Sequence, residues 1–530
     1  MIFQAQTSRH GVVTVGVMTR LMLPLFALWA LNSGAAARAP VVAAVPASMS
    51  DDLEPLELLL AARASSLLDG VSELDLGSSL RLLEEEGATA DEGAPLLALL
   101  GVDRLVVFRL VEQGSLTLEM TVLAGGRPTS TRLSLGRGWS EALERGGPAL
   151  ATALLGRAPR KTAAEPASTS DQALEALGQC HRVLVRQPLG IDGPSPLDAA
   201  ELERAMEACR AAATLDPALH FATATLALAQ AISGAEADAT QTLASLEARD
   251  ERLLPAELAR FWLLTRYQSN EAGLAFLARL VDQQPGKLIL RSTLGEALAS
   301  TGAFARAEAV WRASLERAPR AAWARARLSH ALARQERLVD AVAVAKRGLE
   351  LSPRSRTARL ALGLRLLDLN QPLAAREQLK PLAERRPSRG LELVALGWAQ
   401  WRLGQVDQAA TAFERALDAA DSDAEWRTRA RAFYELALVE AKRGRPDAAR
   451  VALRASERTG LTMRTVDPLL AEAARDIERS DTGGMMDGGK HTAPPLAPRE
   501  VSLFPLDRFG EPDPSATKPP PPEGLAFFRF

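Results

Sequence analysis

The sequence predicts a mostly α-helical protein, in which a superhelix of helical hairpins follows a small α/β domain. The first observation is a strict period, because between residues 288 and 421 the same residue pattern returns every 34 positions. A fixed period of this length is typical of a repeat array. The second observation is that short β-type runs replace this period between residues 40 and 158. Each period contains a leucine followed by a small residue, and the four pairs are Leu294-Gly295, Leu328-Ser329, Leu362-Gly363 and Leu396-Gly397.

Each 34-residue block is predicted to fold as two antiparallel helices. In Ser292–Thr301 and Phe304–Arg317, apolar residues recur every three or four positions, as amphipathic helices require. Gly302 lies between the two, where a helix end favours a left-handed residue. The small residue of the first helix and an alanine of the second allow the helices to approach closely, and a proline ends the block. These alanines are Ala307, Ala341, Ala375 and Ala409, and the prolines are Pro285, Pro319, Pro353 and Pro387.

These positions resemble the tetratricopeptide repeat. The resemblance covers roughly residues 200–460, and it implies an array over residues 171–479 that Met463–Glu478 closes as a capping helix. Single hairpins cannot bury their apolar faces alone, so neighbours are expected to stack into a superhelix. The family's fold implies that the first helix of each block lines an inner groove. It also implies a protein or peptide partner, without identifying it, because the family binds many unrelated partners.

The first helices place unusually apolar and aromatic residues on the face that would line this groove. Aromatic anchors often dominate the binding energy of protein interfaces, so one interpretation is a groove for an amphipathic helix or an apolar peptide. The other is a tight superhelix, in which the same residues contact the next block or the capping helix. The candidate partner-binding residues are Trp323, His330, Leu360, Leu364, Trp398, Trp401 and Tyr434.

Residues 1–37 are predicted to be a signal peptide, with Met18 as an alternative start. Arg20 precedes the apolar run Leu21–Leu31, and small residues with an A-x-A cleavage site at Ala35–Ala37 follow it. The other interpretation is an uncleaved helix that packs within the protein. Cleavage would send the protein to the periplasm, with the outer membrane or the exterior as other destinations, and would leave no membrane span.

Two cysteines occur in the chain, Cys180 and Cys209, and both lie on predicted helices of the first hairpin. In an oxidising compartment they could form a disulfide. The alternative is a pair of small, buried side chains.

Residues 40–158 are predicted to form a strand, a helix, a strand, a helix, a three-stranded meander and a helix. Glu84–Gly93 is a charged, glycine-punctuated stretch, and its acidic run Glu84–Glu86 is interpreted as a solvated loop face and not as a paired-carboxylate catalyst. With the stretch LLALLGVDRLVVFRLVEQGSLTLEMTVL, this order resembles the small N-terminal α/β domain of TolB-like and flagellar-outer-membrane-like periplasmic proteins, which implies a role in envelope assembly or docking. The predicted elements are Val41–Pro46, Leu53–Leu68, Val71–Leu76, Ala94–Leu100, Arg104–Glu112, Ser115–Leu123, Thr129–Leu135 and Trp139–Leu155.

Two further segments differ in composition from the predicted domains. Residues 159–170 are predicted to be a linker, and residues 480–530 a disordered, proline-rich tail. The tail ends in Leu525–Phe530, whose aromatic side chains could dock in the chain's own groove or on a partner. A frayed end is the alternative.

The sequence contains no recognisable catalytic motif. Its five histidines lack metal-ligand spacing, and neither a phosphate-binding loop nor a nucleophile elbow is present. We therefore expect no catalytic residue, no metal and no cofactor. The formal net charge of −2 also argues against nucleic acid as a partner.

The predicted function is that of an exported, non-enzymatic scaffold for protein partners in the bacterial cell envelope. One alternative is a sensory or regulatory module that works with a membrane kinase or regulator. Another is an envelope enzyme with a site between the α/β domain and the array, which converging His, Asp or Glu side chains would support.

Overall fold

A five-stranded sheet forms the centre of the N-terminal part. Its strand order is β2-β1-β3-β4-β5; β1 is parallel to β2 and β3, and the remaining neighbours are antiparallel. The strands are β1 (Val41–Pro46), β2 (Ser72–Glu73), β3 (Arg104–Glu112), β4 (Leu116–Leu123) and β5 (Thr129–Gly136). The computed structural model describes residues 38–47, 53–160, 170–185, 199–247, 253–385, 388–420 and 426–458.

Four helices cover the two faces of this sheet. Successive side chains of a strand point to opposite faces. Val42 and Ala44 therefore join a core with α1 and α4, whereas Val41, Ala43 and Val45 join a core with α2, α3 and the helical array. The helices are α1 (Glu54–Ser66), α2 (Leu76–Glu86), α3 (Pro95–Leu100) and α4 (Trp139–Leu155), with a 3₁₀ turn at Ala90–Glu92. At β1 both faces of the sheet are thus buried, which explains why this strand is apolar along its whole length.

Helix α2 is the main difference from the sequence prediction, which placed a strand at Val71–Leu76. Strand β2 ends at Glu73, and α2 begins at Leu76 because the Asp75 side chain accepts a hydrogen bond from the Ser78 amide at 2.9 Å. A side chain that caps the first amides in this way starts a helix. The other strands and α4 lie where the sequence predicted them, within one residue at each end.

Eight consecutive helix pairs follow among the described residues between 171 and 458, and they stack into a superhelix. Helix α9 (Leu254–Leu263) continues for one π turn at Leu264–Gln268. The sixteen helices are α5 (Asp171–Val185), α6 (Ala199–Leu215), α7 (His220–Ser233), α8 (Glu236–Glu247), α9 (Leu254–Leu263), α10 (Asn270–Gln283), α11 (Leu288–Ser300), α12 (Phe304–Arg317), α13 (Ala322–Arg334), α14 (Leu338–Leu351), α15 (Arg356–Asp368), α16 (Pro372–Ala383), α17 (Gly390–Arg402), α18 (Val406–Ala419), α19 (Trp426–Lys442) and α20 (Pro446–Arg458). None of the described helices is long and apolar enough to cross a bilayer.

Close contact between a small and a large residue joins the two helices of a hairpin. A Cβ atom added to Gly295 would lie 2.6 Å from the Trp311 ring, which is too close for a real contact. Glycines 363 and 397 meet Leu379 and Phe413 in the same way, at 2.5 Å. In the remaining block Ser329 replaces the glycine, and the residue 16 positions later is only Ala345. The two members of each pair compensate in size, as a close-packed interior requires.

In the four 34-residue blocks between residues 288 and 421, the turn inside the hairpin has a left-handed residue at one repeat position. Gly302 and Gly404 have φ angles of 77° and 75°, and the equivalent residues Glu336 and Asn370 have 63° and 58°. Left-handed backbone costs little for glycine, somewhat more for asparagine, and roughly 1–2 kcal/mol for other L-residues. Two of these four hairpins, those with Glu336 and Asn370, therefore keep a strained turn residue.

We predict that Glu336→Gly stabilises the protein by up to about 1 kcal/mol, because it removes the left-handed strain. Asn370→Gly should give a smaller gain, since asparagine tolerates this conformation. Urea denaturation followed by circular dichroism measures both. A destabilised Glu336→Gly variant, or a larger gain for Asn370→Gly, would contradict this account.

Candidate functional site: the inner face of the repeat array

The inner face is the surface formed by the first helices α11, α13, α15, α17 and α19, which carry the predicted partner-binding residues. The structure buries four of these side chains, with exposed fractions of 7% or less, and leaves three half-buried. The buried residues are Trp323, Leu364, Trp398 and Tyr434, and the half-buried ones are His330, Leu360 and Trp401. The four buried side chains are therefore packed inside the molecule and are not exposed in an open groove.

Trp323 packs against the chain's own α/β part, which consists of strands β1–β5 and helices α1–α4. Its indole nitrogen donates to the carbonyl oxygen of Leu100, at the end of α3, over 3.4 Å. Its ring stands edge-on to Trp311, with the ring centres 6.3 Å apart. Trp323 therefore contributes to an internal contact between the two parts of the protein.

Trp398 on α17 and Tyr434 on α19 both contact Arg431, a buried arginine of α19. The Arg431 guanidinium lies 5.3 Å from the centre of the Trp398 ring and 5.9 Å from that of Tyr434. Arg402 lies 5.5 Å from the Trp398 ring centre. Cations placed over aromatic faces in this way are attracted to the ring electrons. The rings thus bind α17 to α19, and Glu435 pairs with Arg431.

His330 stands edge-on to Phe304, with the ring centres 6.0 Å apart. Burial, reinforced by the nearby positive charges of Arg365, Arg334 and Arg327, lowers the pKa of His330 well below its usual value. The imidazole is therefore neutral at neutral pH. Leu360 and Trp401 pack at the edge of the apolar core around α15–α19 and keep part of their surface exposed.

A second set of contacts lies at the N-terminal ends of the first helices. We call it the N-cap row, because it consists of the N-cap residues of four successive first helices, each 34 positions after the last. Every residue of the row contacts the α/β part. The four residues are Lys287, Ala321, Ser355 and Arg389.

Lys287 and Ala321 contact the α/β part beside β2 and behind α3. The Lys287 ammonium donates to Ser65 Oγ at 2.8 Å and forms an ion pair with Glu73. The Glu73 amide donates to the carbonyl oxygen of Gly286 at 2.8 Å, so the array extends the edge of the sheet. At Ala321 the backbones come so close that a Cβ added to Gly101 would lie 2.5 Å from the Ala321 Cα.

Ser355 and Arg389 contact the last turn of α2. The Glu86 carboxylate accepts hydrogen bonds from Ser355 Oγ at 2.7 Å, from the Thr357 amide at 3.2 Å and from the Arg356 amide. The Arg389 guanidinium donates to the Glu84 carbonyl oxygen at 2.6 Å. A carboxylate suits a helix N-terminus, where unpaired amides and the helix dipole favour negative charge.

The environment of Glu86 corrects the interpretation of Glu84–Glu86 as a solvated loop face. Glu84 and Glu86 belong to α2, and Glu86 is buried with an exposed fraction of 8%. Reasoning from sequence missed its role because the partner helix begins 270 residues later. The available signal was the 34-residue period itself, which places the N-cap residues of the first helices at one edge of the array.

Cys180 in α5 and Cys209 in α6 form a disulfide, with their Cα atoms 5.4 Å apart and both side chains fully buried.

Among the described residues, no three His, Cys, Asp or Glu side chains cluster as a metal site would require. The predicted signal peptide, the linker core at 161–169, the capping helix and the tail lie outside the described residues.

A family model described as tetratricopeptide repeat matches residues 292–356, 360–424 and 394–460. The array contains tetratricopeptide repeats. The prediction made from the 34-residue period is therefore confirmed over these residues. Arrays of such repeats present extended binding surfaces, so this part of the chain is a protein-interaction scaffold. The resemblance of the N-terminal part to TolB-like domains stays a prediction, although the sheet at residues 41–136 is present.

Several solved repeat structures are similar to parts of this chain, and a comparison with curated protein sequences finds no match. A tetratricopeptide repeat protein from Parabacteroides merdae is 15% identical with a TM-score of 0.36, covering 50% of this chain and 99% of that one. YrrB, described as having an unusual peptide-binding site, is 20% identical with a TM-score of 0.28, covering 38% and 97%. Yeast Tom70 is 15% identical with a TM-score of 0.41, covering 61% and 66%. Similarity at this level carries no information about a ligand.

We predict that Glu86→Gln destabilises the protein by roughly 1–3 kcal/mol, because it removes a buried charge that accepts three hydrogen bonds. Glu84→Gln is the matched control: it makes the same change two residues away, at an exposed side chain whose backbone alone contacts the array. Thermal denaturation should show a lower midpoint for Glu86→Gln only. Equal midpoints for the two variants would contradict the proposed role of Glu86.

Proposed function

We propose that the protein is an exported scaffold that binds a protein partner in the bacterial cell envelope. Trp401 carries the proposal, because it keeps exposed surface on a first helix of the matched repeats while the other predicted tryptophans of the inner face are buried. Its neighbour Arg402 is exposed. Tryptophan and arginine are the residue types that most often dominate binding energy at protein interfaces.

The docked α/β part restricts where this partner can bind. It contacts the N-terminal ends of the first helices α11, α13, α15 and α17, and Trp323 is used in that contact. Trp401 lies at the opposite end of α17, away from Arg389 in the N-cap row. The available surface is therefore the C-terminal end of the first helices, where a partner with an apolar side chain could cover Trp401.

Export is supported by the predicted signal peptide and by the Cys180–Cys209 disulfide, because disulfides persist mainly in oxidising compartments. Cell fractionation followed by peptide mass spectrometry tests this part. We expect the mature protein in the periplasmic fraction, beginning near residue 38 and with the two cysteines linked. Reduced cysteines in a cytosolic protein would contradict it.

The partner is tested by isolating proteins from envelope extract on the mature protein and measuring the affinity of the purified candidate. Trp401→Ala should weaken its binding by at least about tenfold, the effect expected of an aromatic anchor. Leu373→Ala is the control, because Leu373 is 53% exposed on a second helix. Retention of no envelope protein, or equal binding by both variants, would contradict the proposal.

A further inference from the structure

A cavity of about 470 Å³ lies where the α/β part meets the first helix pairs of the array. Helix α1 and strand β1 form one wall, and α5, α7 and α9 contribute the other. This volume falls within the range of roughly 300–1,000 Å³ that is usual for small-molecule sites. The cavity is separate from the Trp401 surface, which lies on α17.

The walls of the cavity consist mainly of apolar side chains. Six aliphatic side chains of these walls are at most 8% exposed, so their apolar surface is withdrawn from the exterior. Apolar cavities of this kind favour apolar groups over water, which would find too few hydrogen-bond partners there. Six of the lining residues are Leu59, Leu68, Leu177, Leu228, Leu258 and Ile289.

The charged groups of the lining balance one another. Arg63 and Lys287 carry two positive charges, and Glu73 and Asp75 carry two negative charges. Lys287 already forms an ion pair with Glu73. The lining as a whole therefore offers no net charge to attract an ionic head group.

The remaining ionisable group of the lining is His181, which stands edge-on to Phe221 with the ring centres 5.7 Å apart. Burial lowers the pKa of His181 to about 4, so this imidazole is neutral at pH 7. It adds a weakly polar wall without adding charge.

Ser65 supplies a hydrogen-bonding group at the end where the two parts of the protein meet. Ser65 Oγ accepts a hydrogen bond from Lys287 at 2.8 Å, and a serine hydroxyl can also donate its own proton. Ser65 lines the cavity. An oxygen atom of a bound molecule could accept that proton while the rest of the molecule contacts leucine side chains.

We propose that this cavity binds an uncharged long-chain lipid-like molecule, with a hydroxyl or carbonyl oxygen at Ser65 and its hydrocarbon chain among the leucines. Such a molecule contacts both the α/β part and the array. Its binding therefore stabilises the docked arrangement, because a ligand that binds only the folded state raises its stability.

Binding is measured on the full mature chain with the neutral dye Nile red, whose fluorescence increases in apolar surroundings. We expect saturable binding of one dye per chain and its displacement by 1-hexadecanol below the aggregation limit. Hexadecanoate and hexadecyltrimethylammonium, which have the same chain length and opposite charges, should compete at least about tenfold more weakly, because a charge without a partner is costly to bury. Equal competition by either ion would overturn the assignment of an uncharged ligand.

Two substitutions in α7 locate the site. Leu228 lines the cavity and Leu226 does not, although their exposed fractions are 7% and 8%. Leu228→Trp should fill the cavity and weaken dye binding at least about tenfold. Leu226→Trp should keep dye binding and lower the melting temperature, because it overpacks a filled core.

The same experiment can overturn the proposal. Unchanged dye binding by a folded Leu228→Trp variant, or no saturable binding by the wild-type protein, would do so. If Leu228→Trp does not fold, Ala62→Leu adds volume from the half-buried wall of α1 and should give the same loss of binding.

Discussion

The 34-residue period is the constraint on which the arrangement of the two parts depends. Because each repeat adds the same rotation and rise, the N-cap residues of four first helices fall into one row. The α/β part contacts this row through Glu73, Gly101 and the last turn of α2. Helix N-termini carry unpaired amides and partial positive charge, so an acidic surface fits them. The α/β part thus packs along four repeats through only a few contacting residues.

This docking decides which surfaces remain for other molecules. It places Trp323 at the carbonyl end of α3 and covers the N-terminal ends of the first helices α11, α13, α15 and α17. Trp398 and Tyr434 are buried beside Arg431, so Trp401 is the partly exposed one of the three predicted tryptophans. At the other end of the contact, Lys287 joins the N-cap row to the apolar cavity through Ser65 and Glu73. The proposed protein-binding surface and the proposed lipid cavity therefore lie in different parts of the molecule.

The local features were predictable from sequence because they depend on residues in one block. Gly295 and Trp311 belong to the same hairpin, and the left-handed turn at Gly302 follows from glycine alone. The burial of the aromatic residues was not predictable from a single block, because Trp398 packs against Arg431 of the following repeat. The role of Glu86 depends on a helix that begins 270 residues later, and a run of three glutamates reads as a solvated surface without that helix.

The most direct test of docking along the N-cap row is hydrogen exchange at the start of α15, followed by mass spectrometry. The first amides of a helix have no partner within the helix, whereas those of Arg356 and Thr357 donate to Glu86. We predict that a peptide spanning these residues exchanges slowly in the wild-type protein and much faster in Glu86→Ala, with peptides from α18 unchanged. Fast exchange in the wild type, or identical exchange in both proteins, would contradict the docked arrangement.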